Sequence, residues 1–578
     1  MLPVLVLDGD QASALTIVRS LGRRGLVVHV GSSEPSPLAG YSRHVRQRLR
    51  YPDPLKAEAD FIDWLRNQTS SQRYGLVIPV TERTVVPMLR HRASFDDSRV
   101  ALAPSDALEQ VLDKDRTLRL AATLGIATPR SVPVAALADL GAAAAALGYP
   151  VVVKPARSVG QGDGQRVQLS VSYAHNAADL EAQVRHALRY GAVILQEYFA
   201  GDGVGIELIA DQGVVRHAFQ HRRLHEVPLT GGGSSLRTSE AVDPALLAAS
   251  TQLVLALGWH GVAMVEFKRA PASGEFRLME INGRFWGSLP LAVAAGADFP
   301  ALLHALLTTG QVPQLAPART GVVCRQLARD IDWLEHVLRK AAPRQLVTLP
   351  TAGQVLRDCL LVFSPRHHFD VQTWRDPWPG LVDLWRIGAK QWARIAAALA
   401  GRRRLRQEFN AGRAQASGQR ALAEARQVLF LCYGNINRSA LAQAYTQSRH
   451  GQRLQFVSAG FHAPGGRAAD PAMVDVAAGR QIDLSQSLSR TLDAQMVRDA
   501  DLILAMEVAH LDRLVQQHPT ARGKAFLLGA AAATEPRAVE VPDPYGKARS
   551  TYELVCRQVM ASVDGWLSPA PPPQRPKP

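Results

Sequence analysis

Short apolar runs alternate with amphipathic helical stretches over the first hundred residues, and the same alternation restarts after residue 427. A chain patterned this way builds sheets covered by helices, so the fold class is multidomain α/β. Leu5–Leu7 reads as a buried strand, Ala12–Leu21 as a helix and Leu26–Val30 as a second strand. Leu76–Pro79, Val151–Lys154, Val193–Glu197, Val262–Lys268 and Phe276–Ile281 read as later strands. From about residue 321 the pattern turns helical and Trp-rich, and from Gly401 it is rich in Arg and Ala. Strand Val428–Cys432 opens the second α/β stretch, which runs to Trp566. The basic, Pro-rich tail Pro569–Pro578 is expected to be unfolded.

At 578 residues the length suggests about four domains. Hydrophobic residues at 47% and charged residues at 20% supply several packed cores and exclude a mainly disordered or fibrous chain. The longest apolar candidate for a membrane span, Leu140–Val153, is too short and carries Gly and Pro. The N-terminus MLPVLVLDGD has no basic region before its apolar run, so it is not read as a signal peptide. Four cysteines without a CxxC pair argue against a disulfide framework or a zinc site, and a reducing cytoplasm is the expected location. The net charge of +15 attracts anions without choosing among nucleotides, phosphoesters, nucleic acid and anionic membranes.

In the first half, charged residues stand at strand ends. Lys154 closes VVVK, Glu266 lies in MVEF, and Glu280 and Asn282 lie in MEIN. Residues two apart on a strand share a face, so Glu280 and Asn282 point the same way. With Glu266 they form a hard oxygen set suited to Mg²⁺ and substrate phosphates. Lys154, with Lys114 in LDKDR, supplies positive charge, and Gly160, Gly162 and Gly164 offer backbone N–H groups. The segment His221–Ser235 reads as a mobile substrate-facing loop in which Arg222 and Arg223 anchor a carboxylate.

DKDRTLRLAATLGIATPRS, YPVVVKP, QEYFAGDGVGIEL, MVEFK and LMEINGRFWGS stand in an order that resembles the ATP-grasp carboxylate–amine ligases, especially the carbamoyl-phosphate-synthase-like branch. The resemblance covers roughly residues 1–315 and includes a preceding Rossmann-like domain. It implies that Lys114 and Lys154 contact ATP phosphates, and that Gln196, Glu197, Tyr198 and Phe199 form the hinge that reads adenine. Asp202 or Glu207 would meet the ribose. Glu266, Glu280 and Asn282 would hold Mg²⁺, and Arg284 would stabilise an acyl phosphate. The implied substrates are a small carboxylate and an amine. A non-catalytic ATP- or metabolite-binding regulator is the alternative.

In VLFLCYGNINRSA, Cys432 and Arg438 bracket five residues and Ser439 follows. After a buried strand, a loop of this length turns its N–H groups inward around one anion, and the next helix adds its N-terminal dipole. Such a field favours a thiolate. Arg438 can grip phosphate oxygens, Ser439 can donate to the sulfur, and Asp543, between Pro542 and Pro544, suits a general acid.

With VSAGFHAPGGRAADP, DLILAMEVAHLDRL and DPYG, the stretch Val428–Trp566 resembles the low-molecular-weight protein tyrosine phosphatases. The resemblance implies a bacterial, cofactor-free phosphatase acting on a phosphotyrosine protein or a small aryl phosphate. Cys432 would form a phosphocysteine, Arg438 bind phosphate, and Asp543 serve as acid and then base. Asn435 and Ser439 would brace the loop, and Tyr545 would wall an aromatic slot. Many relatives carry a second cysteine at the position of Asn437, and a Pro at that of Ala440. Arsenate reductases share the fold, but Cys556 alone is a poor relay cysteine.

The expected divisions are a Rossmann-like domain (1–110), an ATP-grasp domain (111–320), a helical basic connector (321–424), the phosphatase domain (425–567) and the tail (568–578). In the connector, Leu381, Leu384, Gly388, Trp392, Ile395 and Leu399 recur at three- and four-residue steps beside Arg386, Lys390 and Arg394. Packing on one of the chain's own domains accounts for such a helix, as does peripheral contact with an anionic membrane. No nucleic-acid reader module is present, so nucleic acid is not an expected partner.

Overall fold

The computed structural model describes residues 2–71, 74–95, 100–157, 159–162, 165–340, 346–417, 425–450 and 454–567. Gly164 and the tail therefore lie outside the described residues. The chain divides into two compact units, Met1–Gly388 and Ala389–Pro578.

The first unit opens with β1 (Val4–Val6), β2 (Val28–Ser32), β3 (Val45–Arg50) and β4 (Leu76–Ile78), parallel strands in the order β3-β2-β1-β4. Strands β1, β2 and β4 are buried throughout, and β1 and β4 are continuous apolar runs. Just past β1, Asp8 is buried and accepts from the Val80 and Thr81 amides and the Thr84 hydroxyl, which ties the β1 and β4 ends together.

Next come β5 (Ser131–Val134), β6 (Val151–Pro155), β7 (Val159–Gly162), β8 (Gln165–Gln168), β9 (Ser172–Ala174) and β10 (Val193–Glu197). Four of them form an antiparallel sheet, β5-β10-β6-β9, while β7 and β8 pair as the Gly-rich hairpin.

The largest sheet has β11 (Asp202–Asp211), β12 (Val214–Val227), β13 (Gly233–Glu240), β14 (Gly261–Arg269), β15 (Phe276–Asn282), β16 (Val323–Arg325) and β17 (His367–Phe369). Its order is β15-β14-β11-β12-β13-β16-β17. One face is apolar: Val204, Ile206, Leu208, Val265, Phe267 and Leu278 share a buried cluster with Leu5, Phe61 and Leu108 of the N-terminal region. The other face carries Glu266, Lys268, Glu280 and Arg223.

Two expectations need correction here. The segment from 321 is not a separate connector, because β16 pairs with β13 and β17 with β16. Buried ion pairs fasten it further: Arg237 with Asp370 at 2.6 Å and Arg19 with Asp376 at 2.9 Å. Nor is His221–Ser235 an open loop, since β12 continues through Val227 and β13 starts at Gly233. The glycines Gly231–Gly233 lie at the turn between β12 and β13, and the arginines belong to the strand before it.

Helix Pro377–Ser417 spans 41 residues. In the second unit, β18 (Gln427–Cys432), β19 (Gln455–Gly460), β20 (Leu502–Ala505) and β21 (Ala525–Leu527) form a parallel sheet in the order β19-β18-β20-β21. Val428, Phe430 and Cys432 join the core on one face, and Leu429 and Leu431 the core on the other.

Candidate functional site

Paired residues in adjacent strands share a face, so register assembles the site of the first unit. Glu266 pairs with Gly205 and with Glu280, Met264 with Asn282, and Gly203 with Lys268. The same face continues through His221, opposite Gly205, and Arg223, opposite Arg237. Gly203 leaves room for Arg223, whose Cδ would lie 2.7 Å from a Cβ placed there. Arg223 then reaches Glu266 at 2.5 Å and Glu226 at 3.0 Å.

Lys114, at the start of helix Lys114–Thr123, places Nζ 3.9 Å from Glu280. Asn282 donates to Glu280 at 3.3 Å. Burial opposes ionisation of Glu280, but Lys114, Lys154 and Arg284 outweigh it and hold the carboxyl below its usual range. Burial pushes Glu266 up, Arg223 opposes that shift, and Glu280 adds to it. Lys154 is brought down to about 8 by burial, with Glu280 opposing the shift. Arg284 lines one small cavity with Lys114, Glu280 and Asn282, and donates to Glu82 at 3.0 Å.

Two carboxylates and an amide on one face, beside two ammonium groups, fit Mg²⁺ with nucleotide phosphates. Among the described residues no group of three or more His, Cys, Asp and Glu could hold a metal ion, so a site here depends on the Asn282 amide and on phosphate oxygens.

The hinge side chains are partly engaged inside the fold. Gln196 is buried and donates to Ser131 at 2.9 Å. Glu197 accepts from the Arg130 amide at 2.9 Å and its guanidinium at 2.5 Å. Tyr198 donates to the Leu346 carbonyl at 2.6 Å, and Phe199 lies under the Arg277 guanidinium. Adenine would therefore be read by backbone here.

The ribose alternatives separate: Glu207 is fully buried, 2.6 Å from the Ser288 hydroxyl that donates to it, and cannot meet a ribose. Asp202 stays accessible beside Arg222 at 3.4 Å, but strand alternation puts it on the face opposite Glu266 and Lys268. The Arg222–Arg223 anchor also fails as a pair. Strand alternation sends Arg222 to Glu240, at 2.6 Å, on the opposite face from Arg223.

In the second unit, β18 delivers Cys432 to the C-terminal edge of the sheet, and helix Arg438–His450 begins six residues later. The sulfur accepts from the Asn435 amide at 3.2 Å and lies 2.9 Å from the Ser439 hydroxyl. Asn435 adopts a left-handed φ of 52°, and its side chain donates to Ser439 and Ser458, each at 2.9 Å. Arg438 is buried, with one nitrogen on Glu507 and the Val541 carbonyl and another 3.1 Å from Asp543. Its Nε has no hydrogen-bond partner. A buried donor left open on a residue that lines one cavity with Cys432 is suited to an oxyanion. Tyr433, His462, Arg467 and Tyr545 line the same cavity, about 270 Å³ in volume.

Glu507, Asp470 and Gly460 were not anticipated. Glu507 follows β20, next to β18, so its place at the C-terminal edge of a parallel sheet was the available signal. Asp470 ties Asn437 (3.1 Å) to Tyr552 (2.7 Å). Asn437 thus fills the second-cysteine position with a hydrogen-bonded amide. Cys556 is fully buried, with its thiol pushed up by burial, which suits a core side chain.

The family model for low molecular weight phosphotyrosine protein phosphatase matches residues 427–571. The low molecular weight protein-tyrosine-phosphatase Wzb of Escherichia coli (strain K12) is 37% identical over 139 residues, covering 24% of this chain and 91% of the relative. Through this region the chain belongs to the low molecular weight phosphotyrosine protein phosphatase family. The probable phosphatase EpsP of Ralstonia nicotianae is 36% identical over 141 residues, covering 24% of this chain and 92% of the relative.

A second family model, ATP-grasp in the biosynthetic pathway with Ter operon, matches residues 189–329, so the phosphatase domain is fused to an ATP-grasp module. The solved L-amino acid ligase from Bacillus licheniformis is 20% identical with a TM-score of 0.42, covering 53% of this chain and 74% of that one.

Proposed function

We propose that the chain is bifunctional: a cysteine-dependent protein tyrosine phosphatase joined to an ATP-dependent carboxylate–amine ligase. The observation that supports the phosphatase reading best is the sulfur of Cys432, with the Asn435 N–H at 3.2 Å, in one cavity with the buried Arg438. Cys432 Sγ attacks phosphorus, the P–O bond to the leaving oxygen breaks, and Asp543 donates the proton that oxygen takes up. Asp543 then accepts a proton from the water that splits the phosphocysteine, releasing inorganic phosphate and the thiolate. Arg438, oriented by Glu507, carries the equatorial oxygens through both steps. Tyr433 and Tyr545, both exposed beside the sulfur, suit an aryl phosphate such as phosphotyrosine.

The polar face of the large sheet supports the ligase reading. A substrate carboxylate takes the γ-phosphoryl group of ATP, releasing ADP, and an amine then displaces phosphate from the acyl phosphate, losing a proton as the amide forms. Lys114 and Lys154 hold the phosphates, and Arg284 faces the acyl phosphate. Mg²⁺ held by Glu266, Glu280 and Asn282 would neutralise charge on the transferred group. A cytoplasmic setting would keep Cys432 reduced.

The test measures both activities in the full chain. Cys432→Ser abolishes hydrolysis of an aryl phosphate, and Asp543→Asn slows it by about a hundredfold or more while phosphate still binds. Residual turnover by Cys432→Ser would remove the nucleophile assignment. In the Cys432→Ser background, ADP release from Mg-ATP with pooled amino acids and small carboxylic acids depends on substrate and disappears in Glu280→Ala. ATP binding without turnover in any pool would favour a non-catalytic regulator.

A further inference from the structure

Two arginines border the phosphatase cavity without taking part in the steps at Cys432. Arg467 lines the cavity together with Cys432, Tyr433 and Arg438. Its guanidinium donates to the Gly434 carbonyl at 2.6 Å, and its Nε is a buried donor with no hydrogen-bond partner. Arg513 is exposed on helix Val508–Gln517. Its guanidinium lies 5.9 Å from the centre of the Tyr433 ring and 4.7 Å from that of Phe461. Tyr433 is itself a wall of the cavity and half exposed, so Arg513 stands one ring away from the site.

The acidic residues around the cavity are engaged elsewhere. Glu507 and Asp543 pair with Arg438. Asp470 accepts from Asn437 and Tyr552, and Asp512, next to Arg513 in sequence, pairs with Arg404 at 3.3 Å. Among the described residues, Arg467 is seated on a neutral carbonyl and Arg513 on two aromatic rings, and neither has a carboxylate partner. A guanidinium over a ring can still donate its N–H groups, and a carboxylate is the group that fits them best.

A small aryl phosphate brings no further charge to these arginines. A phosphotyrosine in a protein does, because its backbone continues past the cavity on both sides. Residues of an extended chain follow at about 3.3 Å, so side chains next to the phosphorylated position come within reach of groups bordering the cavity. On the phosphatase reading of this cavity, on which the inference rests, we propose that Arg467 and Arg513 select phosphotyrosine flanked by acidic residues, each guanidinium taking one carboxylate of the substrate protein.

The experiment compares kcat/KM of the full chain for three phosphotyrosine peptides, flanked on both sides by Glu, by Ala or by Lys, with p-nitrophenyl phosphate as the unflanked substrate. The Glu peptide is expected to exceed the Ala peptide by about tenfold, since each exposed ion pair is worth up to about fivefold. The Lys peptide falls below Ala, and high salt brings the three together. Arg513→Gln lowers the Glu-to-Ala ratio while p-nitrophenyl phosphate is still hydrolysed, which shows that the catalytic unit is folded. Arg467→Gln, which also frees the Gly434 carbonyl, lowers the same ratio whatever it does to the unflanked substrate. Calorimetry with the Cys432→Ser chain gives the same order of peptides in binding alone. Equal values for the Glu and Ala peptides, in a protein that hydrolyses p-nitrophenyl phosphate, would overturn the proposal and leave the phosphatase standing. So would a Glu-to-Ala ratio unchanged in both variants. No hydrolysis of p-nitrophenyl phosphate would remove the phosphatase reading and this proposal with it.

Discussion

A side chain's chemistry in this protein follows from which charges stand within a few ångströms of it. Lys154 shows this most directly. Burial brings its ammonium down to about 8, although Glu280 pulls the other way. A base with a lowered value is charged below that pH and neutral above it. If the charged form holds ATP phosphates, affinity falls as pH rises through about 8, by about tenfold at pH 9. Titration calorimetry across pH 7 to 9 measures this, and Lys154→Arg, whose guanidinium stays charged, gives a flat profile. A flat profile in the unaltered protein would remove Lys154 from the phosphate site. In the phosphatase domain, His510 is brought down to about 4 by burial and by Arg438, against Glu507 and Asp543, so it stays neutral at physiological pH beside the site. Its neutrality leaves Glu507 and Asp543 as the partners of Arg438.

At the scale of elements, the phosphate-binding loop takes its shape from the strand beside it. Gly460 ends β19, and a Cβ there would meet the Tyr433 carbonyl at 2.6 Å and the Asn435 amide at 2.9 Å. Both contacts are loop backbone, so the loop must shift if Gly460 acquires a side chain. Gly460→Ala is expected to lower kcat for aryl-phosphate hydrolysis by at least about tenfold, since small misplacements of reacting groups are expensive. Far-UV circular dichroism should stay unchanged, and unaltered kcat would show that the loop tolerates the shift. The large sheet shows the same dependence. Arg223 faces Glu266 and Arg222 does not, because adjacent strand residues alternate, and Glu207 is sealed under Ser288 rather than open to a ribose.

At the scale of the whole molecule, two compact units with separate cores are expected to unfold separately. Scanning calorimetry of the full chain should show two transitions. Mg-ATP raises one and inorganic phosphate the other, because a ligand stabilises the unit that binds it by mass action. A single transition raised by both ligands would show that the units unfold together.

Cys432, Arg438 and Ser439 were legible in the sequence because an anion loop is built from contiguous residues, and their spacing already encloses one phosphate. The Glu-x-Asn pair was legible because strand alternation assigns its face without any neighbour. The α/β class followed from apolar periodicity, which is a local property. Tertiary structure decided everything that depends on a partner strand. It placed Glu507, Asp470 and Gly460 around the phosphate loop because adjacent parallel strands end at one edge. It drew the segment after 321 into the large sheet, where Cys324 pairs with Arg237. It buried Glu207 and separated Arg222 from Arg223, since burial and facing are set by residues remote in sequence. Periodicity states which residues share a side; only packing states whether that side meets solvent, core or substrate.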